Sequence, residues 1–379
     1  MEKLKKYIAR DKSVITGKQN LELLYSMKNF PVFFGCVETP EEKDLFFDMD
    51  WSIDPETGVI QLSKLIPLDL LYQMQHADGY GPTWHQYYVD FSSYIKKDTP
   101  NFILEIGGGG GALAKIATDD SKSMHWTIVE PNPTAEETEK IKIVRSFFGE
   151  NFNYDGKIDA IVLSQVLEHA YDPNVFLSSI SRILKKGGCL ILAYPNLLLW
   201  LQKKQTNSIN FEHTMLLTDY HIDYLLAKHG FLIINKEQYK DHSFFYTVEK
   251  VNNPPLPPLE NKYKEYKKAF FDFVDYHKNI TEELNKKIEE ADLPVYLFGA
   301  HIFSQYLLFF GLKTEKIISI LDNSATKQGK RLYGTKYKVE SPKYLAGRGP
   351  LNIILKAGPF DDEIKKDILE NINPNVIFW

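Results

Sequence analysis

A run of five glycines, Gly107–Gly111, stands between the apolar stretch 102–106 and the small-residue stretch 112–117. This order predicts a short buried strand, a turn almost without side chains, and the start of a helix. Such a turn lets the backbone approach a ligand and points free N–H groups of the helix N-terminus at an anionic part of it. The glycine run therefore predicts an α/β fold with a nucleotide-type ligand at the carboxyl ends of its strands.

The region around the glycine run alternates between strand and helix patterns. Strands are predicted at 102–106, 125–130, 158–163, 188–194, 231–235 and 244–249, and helices at 111–118, 135–147, 173–185 and 218–229. Regular alternation of this kind favours a parallel sheet covered by helices on both faces. The expected fold class is α/β with a Rossmann-like core.

Changes in composition divide the chain into three predicted domains. Residues 1–95 consist of short mixed elements rich in aromatic residues, with a hairpin signalled by the turn residues 54–58. Residues 96–250 hold the alternating core. Residues 251–379 begin with a proline-rich linker and a long helical pattern, and continue with a second, smaller strand–glycine–helix unit at Gly299.

Composition excludes several classes of partner. The net charge is −5 with both signs interspersed along the 379 residues, which gives no basic face for a nucleic acid. Only Cys36 and Cys189 are present, far apart, so neither a disulfide framework nor a CxxC metal site is expected. The longest apolar stretch, 189–201, is too short to cross a bilayer, and the first residues lack the apolar region of a signal peptide. A cytoplasmic protein without membrane or nucleic-acid partners is expected.

The residues around the glycine run point to an adenosyl cofactor without choosing between two. Gly107-x-Gly109 fits a dinucleotide fingerprint, but any window on five glycines comes close to it. Glu130 is a stronger signal, because it ends the next strand and is placed to accept both hydroxyls of a ribose. This pairing serves NAD and S-adenosylmethionine equally, so an oxidoreductase and a methyltransferase both stay open at this point.

Four motifs distinguish these two cofactors by resemblance. The segments 105–109, 130–131, 166–169 and 184–188 read Glu-Ile-Gly-Gly-Gly, Glu-Pro, Val-Leu-Glu-His and Leu-Lys-Lys-Gly-Gly. In this order they resemble the successive motifs of class I S-adenosylmethionine-dependent methyltransferases. By that resemblance the glycine run faces the methionyl part of S-adenosylmethionine, and Glu130 holds its ribose.

The same resemblance implies further cofactor-binding residues. Glu105, Gln165 and His169 are expected to line the cofactor site, and Phe148 is expected to flank the adenine ring. Three of these residues have a structural alternative. Glu105 can cap the glycine loop, Phe148 can pack in the core, and His169 can be a structural histidine below the sheet edge.

Segments outside the core resemble a narrower family. The stretch 299–342, with its Gly-Ala, Leu-Asp-Asn-Ser and Glu-Ser-Pro runs, resembles the C-terminal domain of the nucleotide-sugar carbon-methyltransferases, which methylate keto-deoxysugars bound to a nucleotide. Glu212-His213 resembles the Glu-His pair of that family, and residues 58–62 resemble part of its N-terminal domain. The resemblance implies a nucleotide-linked sugar as substrate, with the Gly299 turn as a wall for it. Binding of a second nucleotide cofactor at Gly299 is the alternative.

Two departures from that family bear on the chemistry. The family binds structural zinc through two CxxC pairs, whereas this chain offers Cys36 alone at the first place and Trp-Ser-Ile-Asp, residues 51–54, at the second. We therefore expect no metal and an N-terminal domain held by aromatic packing. The family also has a catalytic tyrosine in its substrate segment, which corresponds to residues 76–84. This chain has His76 in the place of that tyrosine, so a changed substrate or acceptor atom is expected.

Four residues are predicted to carry the chemistry. His213 is the expected general base, because a histidine suits proton abstraction near neutral pH, and Glu212 is expected to orient it or to raise its basicity. His76 is expected to contact the substrate, and Tyr80 to donate a hydrogen bond to a substrate oxygen. The alternatives are an exposed loop for the Glu212-His213 pair, a surface position for His76 and aromatic packing for Tyr80.

The leading hypothesis is an S-adenosylmethionine-dependent methyltransferase acting on a nucleotide-linked sugar in glycan or deoxysugar biosynthesis. Its nearest rival is an oxygen- or nitrogen-methyltransferase acting on a sugar or another small molecule. A non-catalytic binding protein is a further alternative, as is an NAD-dependent oxidoreductase, although the 166–169 motif argues against the latter. The sequence gives neither the oligomeric state nor the atom that is methylated.

Overall fold

The computed structural model describes residues 2–3, 6–72, 82–98, 100–121 and 123–379. His76 and Tyr80, predicted to contact the substrate, lie outside these described residues, so their roles stay predictions. Within the described part of the chain, no helix combines the length and the apolar character that crossing a bilayer requires.

A sheet of seven described strands forms the centre of the molecule. In sheet order the strands are Ile141–Val144, His125–Val129, Phe102–Ile106, Ala160–Ser164, Cys189–Pro195, Ser243–Lys250 and Phe231–Tyr239. The first five run parallel, and Ser243–Lys250 lies antiparallel to Cys189–Pro195. Phe231–Tyr239 pairs antiparallel with Ser243–Lys250 and forms the edge of the sheet. This is the α/β, Rossmann-like core that the alternating pattern predicted.

Helices cover both faces of this sheet, because its central strands carry apolar side chains on each side. Ile103 belongs to the apolar core on one face, and the next residue, Leu104, belongs to the core on the other. The first face is covered by the helices Pro82–Lys96 and Ala112–Asp119, and the second by Pro173–Ile183 and Asp219–Lys228. The domain limits 1–95, 96–250 and 251–379 stay predictions.

The helix predicted at 135–147 is wrong, because this region contains the edge strand Ile141–Val144, paired in parallel with 126–129. The glutamate-rich residues before the strand have helical propensity, but all except one of the strand residues are β-branched, which favours a strand. The hydroxyl of Thr138 accepts the N–H of Ile141 at 3.1 Å and forms a turn at the start of the strand. Pairing with the sheet thus overrides the local preference.

The N-terminal residues form a second sheet that is shared with the rest of the chain. Its strands are Glu2–Lys3, Glu22–Pro31, Leu45–Ile53, Ile60–Leu62 and Met215–Leu216, with the short antiparallel pairs Ile8–Ala9 with Lys64–Leu65 and Cys36–Val37 with Arg331–Leu332 beside it. The predicted hairpin is confirmed as the pair Leu45–Ile53 and Ile60–Leu62. Trp51 is fully buried, with its ring centroid 6.3 Å from that of Phe270. Aromatic packing therefore joins this sheet to the C-terminal region.

The segment expected to lack zinc is organised around the carboxylate of Asp54. Ser13, Thr16 and Thr57 donate their hydroxyls to Asp54 Oδ2 at 2.5, 3.2 and 3.0 Å. Cys36 stands at the position of the family's first CxxC pair. Its thiol faces the backbone oxygen of Ala300 at 3.6 Å. The polar groups that meet at Asp54 are thus three hydroxyls and one carboxylate. The absence of zinc stays a prediction.

The region after the proline-rich linker contains the helix Tyr263–Glu290 and a third sheet. The parallel strands of this sheet are, in order, Val339–Glu340, Ile317–Leu321, Val295–Phe298, Leu351–Leu355 and Val376–Phe378, with the helices Ile302–Phe309 and Asp361–Asn371. The remaining short helices and turns are Leu68–Leu71, Leu197–Gln202, Glu41–Lys43, Leu167–His169, Thr206–Ser208, Pro342–Leu345 and Gly358–Phe360. Asp322 accepts the N–H of Ala300 and the ammonium of Lys327, each at 2.9 Å. At the Gly299 turn, the Asp322 carboxylate therefore accepts the backbone N–H that a bound ligand could otherwise use.

Candidate functional site

The carboxyl ends of the central strands open into a cavity of about 570 Å³. The cavity is lined by Gly107 and Gly109 of the glycine run, by Glu130 after the second strand, and by Gln165 after the strand Ala160–Ser164. A parallel sheet places its ligands at this edge, where the loops after neighbouring strands converge. The structure therefore brings together candidates that the sequence placed in separate motifs.

The turn 107–111 requires glycine both for its backbone conformation and for its lack of side chains. Gly107 and Gly111 have φ angles of 77° and 73°, in the left-handed region that side chains disfavour. A Cβ atom on Gly108, which has no such φ restriction, would lie 2.8 Å from Glu105 Oε2 and 2.8 Å from Ile128 Cγ2. The turn is thus pressed onto the carboxylate below it, and a side chain at this position has no room.

Glu105 lies beneath the glycine turn. Its side chain is buried, and Oε2 accepts the indole N–H of Trp126 at 2.7 Å. Glu105 also belongs to the cavity lining. Both positions predicted for this carboxylate, under the loop and at the cofactor site, are therefore compatible with the structure, and its contact with cofactor stays a prediction.

Glu130 stands at the cavity edge directly after the second central strand. Its Oε1 accepts the backbone N–H of Asn132 at 3.2 Å. The Asn132 amide donates in turn to the backbone oxygen of Tyr72 at 2.5 Å and so ties this loop to the N-terminal region. The carboxylate is held at the edge of the cavity, where a ribose bound against the strand ends would meet it.

Phe148 forms part of an aromatic wall of the cavity. Its ring packs against Phe152 and Phe176, with centroid distances of 5.2 and 5.3 Å. It also lines the cavity beside Phe147. Core packing and a cavity-facing role therefore occur together in this residue.

Gln165 adopts a left-handed backbone conformation, with φ of 57°. Its side-chain amide donates to the hydroxyls of Tyr87 and Ser243 at 3.1 and 2.9 Å. These two hydrogen bonds hold the helix Pro82–Lys96 against the sheet. Gln165 also belongs to the cavity lining.

His169 lines the cavity at the end of the turn Leu167–His169. Its Nδ1 lies 3.0 Å from the backbone oxygen of Glu212, which fixes the ring orientation. The neighbouring Glu168 is almost completely buried, and burial raises the pKa of its carboxyl group to about 8. Within the described part of the chain, Glu168 Oε2 has no hydrogen-bond partner.

In the pair Glu212-His213 the glutamate is buried and the histidine is partly buried, which excludes the alternative of an exposed loop. Glu212 is 8% exposed and lines the cavity. Among the described residues His213 does not line it, and its ring lies 5.3 Å from the ring of His169. The Nδ1 atom of His213 is 3.3 Å from the backbone oxygen of Ser208, and burial lowers the pKa of its ring to about 4.

Arg10 ties the N-terminal sheet to the loop that carries this pair. Its buried guanidinium donates to the backbone oxygens of Leu62 and Tyr171 at 2.9 and 3.1 Å, and also to that of Thr214. Burial lowers the pKa of Arg10 to about 9. Thr214 directly follows His213, so this cation holds the histidine loop in place, and no local sequence signal marks it.

Beyond the phenylalanines around Phe148, the aromatic residues that line the cavity without having been candidates are Tyr72, Trp84, Tyr88 and Tyr171. Only Trp84 belongs to a segment that the sequence singled out. Burial raises the pKa of the hydroxyls of Tyr72 and Tyr171, so both stay protonated at neutral pH. The aromatic richness of the first 95 residues was the signal that could have identified the first three.

The residues present fit S-adenosylmethionine. A turn that side chains cannot occupy, a carboxylate after the second strand and an aromatic wall stand around one cavity. With this cofactor bound as the resemblance implies, they would face its methionyl, ribose and adenine parts, and these roles stay predictions. Gly107, Glu130 and Phe148 are the residues that would hold these parts.

Residues 84–236 match a family model described as "Methyltransferase domain". This match begins within the helix Pro82–Lys96 and ends within the strand Phe231–Tyr239, so it includes the five parallel strands and most of the cavity lining, while the strand Ser243–Lys250 lies beyond it. No curated protein matches the chain.

Solved structures similar to this chain include several small-molecule methyltransferases. N,N-8-amino-8-demethyl-D-riboflavin dimethyltransferase from Streptomyces davawensis is 18% identical, with a TM-score of 0.36 over 44% of this chain and 55% of that one. The mitomycin 7-O-methyltransferase MmcR is 15% identical, with a TM-score of 0.37 over 44% and 54%. The plantazolicin methyltransferase BpumL, solved with SAH, is 14% identical, with a TM-score of 0.36 over 44% and 82%. The chain thus spans about half the length of the first two.

Proposed function

We propose that this chain, in which residues 84–236 form an S-adenosylmethionine-dependent methyltransferase domain, transfers a methyl group to a small molecule bound in the cavity described above. The observation that carries the proposal is that a single cavity is lined by the glycine turn and Glu130 and also by His169, Tyr171 and Glu212. A cofactor and an acceptor can therefore meet in one cavity, which is the main requirement of an in-line methyl transfer.

S-adenosylmethionine, when bound, supplies an activated methyl group. The protein then has to align the acceptor and exclude water. The turn at Gly107 and the carboxylate of Glu130 are placed to orient the cofactor, while Tyr72 and Tyr171 line the part of the cavity left for an acceptor.

The finer proposal for the substrate is a nucleotide-linked sugar. It is supported by the resemblance of the flanking regions to nucleotide-sugar carbon-methyltransferases and by the contact of these two regions with each other through Trp51 and Phe270. Asp322 already binds Ala300 and Lys327, which favours a wall over a second cofactor site at Gly299. Oxygen or nitrogen methylation of another small molecule is the second candidate, supported by the polar groups of His169 and Glu212 in the cavity.

The role of His213 as general base stays a prediction. Its lowered pKa keeps the ring neutral at pH 7, and among the described residues the neighbouring His169, not His213, lines the cavity. A full methylation rate in His213→Gln would remove it as base, and the matched variant His169→Gln tests the ring that faces the cavity. The cytoplasmic location also stays a prediction.

The experiment that tests the function uses labelled S-adenosylmethionine with a panel of nucleotide sugars in keto and hydroxy forms and with unrelated small-molecule acceptors. We expect label in one class of acceptor and loss of cofactor binding in Glu130→Ala, measured by calorimetry. Label on oxygen or nitrogen supports the second candidate over carbon methylation. Tight cofactor binding without label in any acceptor supports a non-catalytic binding protein, and binding of NAD instead contradicts the proposal.

A further inference from the structure

Glu168, His169 and His213 form a cluster beside the cavity that the methyl-transfer scheme does not use as a unit. Each offers one ligand atom, and these atoms lie within 4.8 Å of one another. His169 Nε2 lies 3.9 Å from Glu168 Oε1. A carboxylate and two imidazoles that converge from separate loops are a donor set that divalent transition metals bind.

The buried carboxylate of Glu168 lacks a partner that its position requires. Its side chain is 1% exposed, and Oε2 has no hydrogen-bond partner in the described part of the chain. A buried polar atom without a partner is unfavourable, and a buried carboxylate is retained when it is paired or binds a metal. The orphaned oxygen therefore indicates a cation that the polypeptide does not itself supply.

A backbone carbonyl group lies next to Nδ1 of both imidazoles and holds each ring in place. His169 Nδ1 lies 3.0 Å from the backbone oxygen of Glu212, and His213 Nδ1 lies 3.3 Å from that of Ser208. The Asn210 amide also lies 3.3 Å from His213 Nδ1 and gives one of its two protons to the backbone oxygen of Asn207 at 3.0 Å, whereas the Ser208 carbonyl can only accept a proton from this nitrogen. A carbonyl that accepts from Nδ1 fixes the tautomer with a lone pair on Nε2, which is how metal-binding histidines are held.

We propose that Glu168, His169 and His213 bind one divalent transition-metal ion, such as Zn²⁺ or Mn²⁺. Three protein ligands leave coordination positions open, and His169 connects the cluster to the cavity. This departs from the expectation of no metal, which rested on missing cysteines and not on these residues. The ion could hold the hydroxyl oxygen of an acceptor and lower the pKa of that hydroxyl, a role that rests on the proposed function. Binding of the ion does not rest on it.

The test begins with full-length protein freed of metal by chelator. Titration with Zn²⁺ and with Mn²⁺, followed by calorimetry and by thermal denaturation, is expected to show one ion per chain. Glu168→Gln and His213→Gln are expected to weaken binding by about tenfold or more, because each removes a ligand. The matched control is His229→Gln, whose ring contacts Asn174 outside the cluster and whose variant is expected to bind as the unchanged protein does.

Absence of binding to the unchanged protein, or equal affinity in His213→Gln, would overturn the proposal. If the variants fail to fold, the visible spectrum of Co²⁺ added to the unchanged protein replaces them, and a spectrum like that of aqueous Co²⁺ also overturns it. S-adenosylmethionine binding to the metal-free protein is measured in parallel. If the protein binds the metal ion but not S-adenosylmethionine, the result counts against the proposed function alone. If it binds S-adenosylmethionine but not the metal ion, the result counts against the metal site alone.

Discussion

The indole N–H of Trp126 donates to the carboxylate of Glu105 at 2.7 Å, directly under the glycine turn. The two residues come from neighbouring parallel strands, paired so that Trp126 lies opposite Ile103. Because a Cβ on Gly108 would lie 2.8 Å from Glu105 Oε2, this hydrogen bond supports the floor on which the turn rests. The shape of the cofactor site thus depends on a contact between two adjacent strands.

Replacement Trp126→Phe is expected to lower the free energy of unfolding by about 2–4 kcal/mol, because it leaves a buried carboxylate oxygen without this donor and opens a cavity. The affinity for S-adenosylmethionine is expected to fall as well, since the turn loses part of its support. Urea denaturation and calorimetry measure the two effects. Unchanged cofactor affinity in a clearly destabilised variant would show that the turn does not depend on this bond.

Replacement Gly108→Ala is expected to abolish cofactor binding with the fold retained. The added methyl group would press on Glu105 Oε2 and Ile128 Cγ2 at 2.8 Å, so the turn must move. The matched control is Gly149→Ala, which adds a methyl group to another glycine of the cavity lining, where nothing lies within 4 Å. Calorimetric titration of both variants checks the prediction, and equal affinities would contradict it.

Replacement Asp54→Ala is expected to lower the free energy of unfolding by about 3–5 kcal/mol. It strands the buried hydroxyls of Ser13 and Thr57, which donate to this carboxylate in the unchanged protein. The neighbouring Glu56→Gln is the control, because its pair with Lys18 is exposed and is expected to contribute less than about 1 kcal/mol. Chemical denaturation distinguishes the two, and similar values would disprove the central role of Asp54.

The buried ring of His221 is expected to make the fold sensitive to acid. Burial lowers its pKa from 6.5 to about 4, against weaker opposing effects of the Thr57 carbonyl and of Asp54 and Asp219. Its Nδ1 accepts the backbone N–H of Thr218 at 3.2 Å, an arrangement that a proton on Nδ1 would disrupt. As the pH falls through the window from 6.5 to 4, the unfolded chain binds a proton that the folded chain resists, so stability is lost there.

The stability of the unchanged protein is therefore expected to fall by about 2 kcal/mol more than that of His221→Gln between pH 7 and pH 5. Glutamine keeps the capping interaction with the helix start and does not titrate. Urea denaturation at the two pH values makes the comparison. Parallel losses in both proteins would assign the acid sensitivity to other groups.

Local sequence patterns were sufficient for most of the central sheet. Strands such as Phe102–Ile106 are apolar on both faces, and the glycine run marks the turn that follows, so short-range physics identifies both. The edge strand Ile141–Val144 was missed because a helix-favouring stretch precedes it and only the pairing with its neighbour selects the strand. Tertiary pairing decided what propensity did not.

The sequence by itself determined the glycine turn and the carboxylate after the second strand, and hence the expectation of an adenosyl cofactor, because these residues follow successive strands whose ends must meet at one sheet edge. Only the tertiary structure decided where Glu212 and His213 lie. Their loop is held by Arg10, more than 200 residues away, and by the strand Met215–Leu216 that joins the N-terminal sheet. Contacts of such long range leave no periodic or local mark in the chain, so the position of His213 beside Glu168 and His169 had to be seen in the fold.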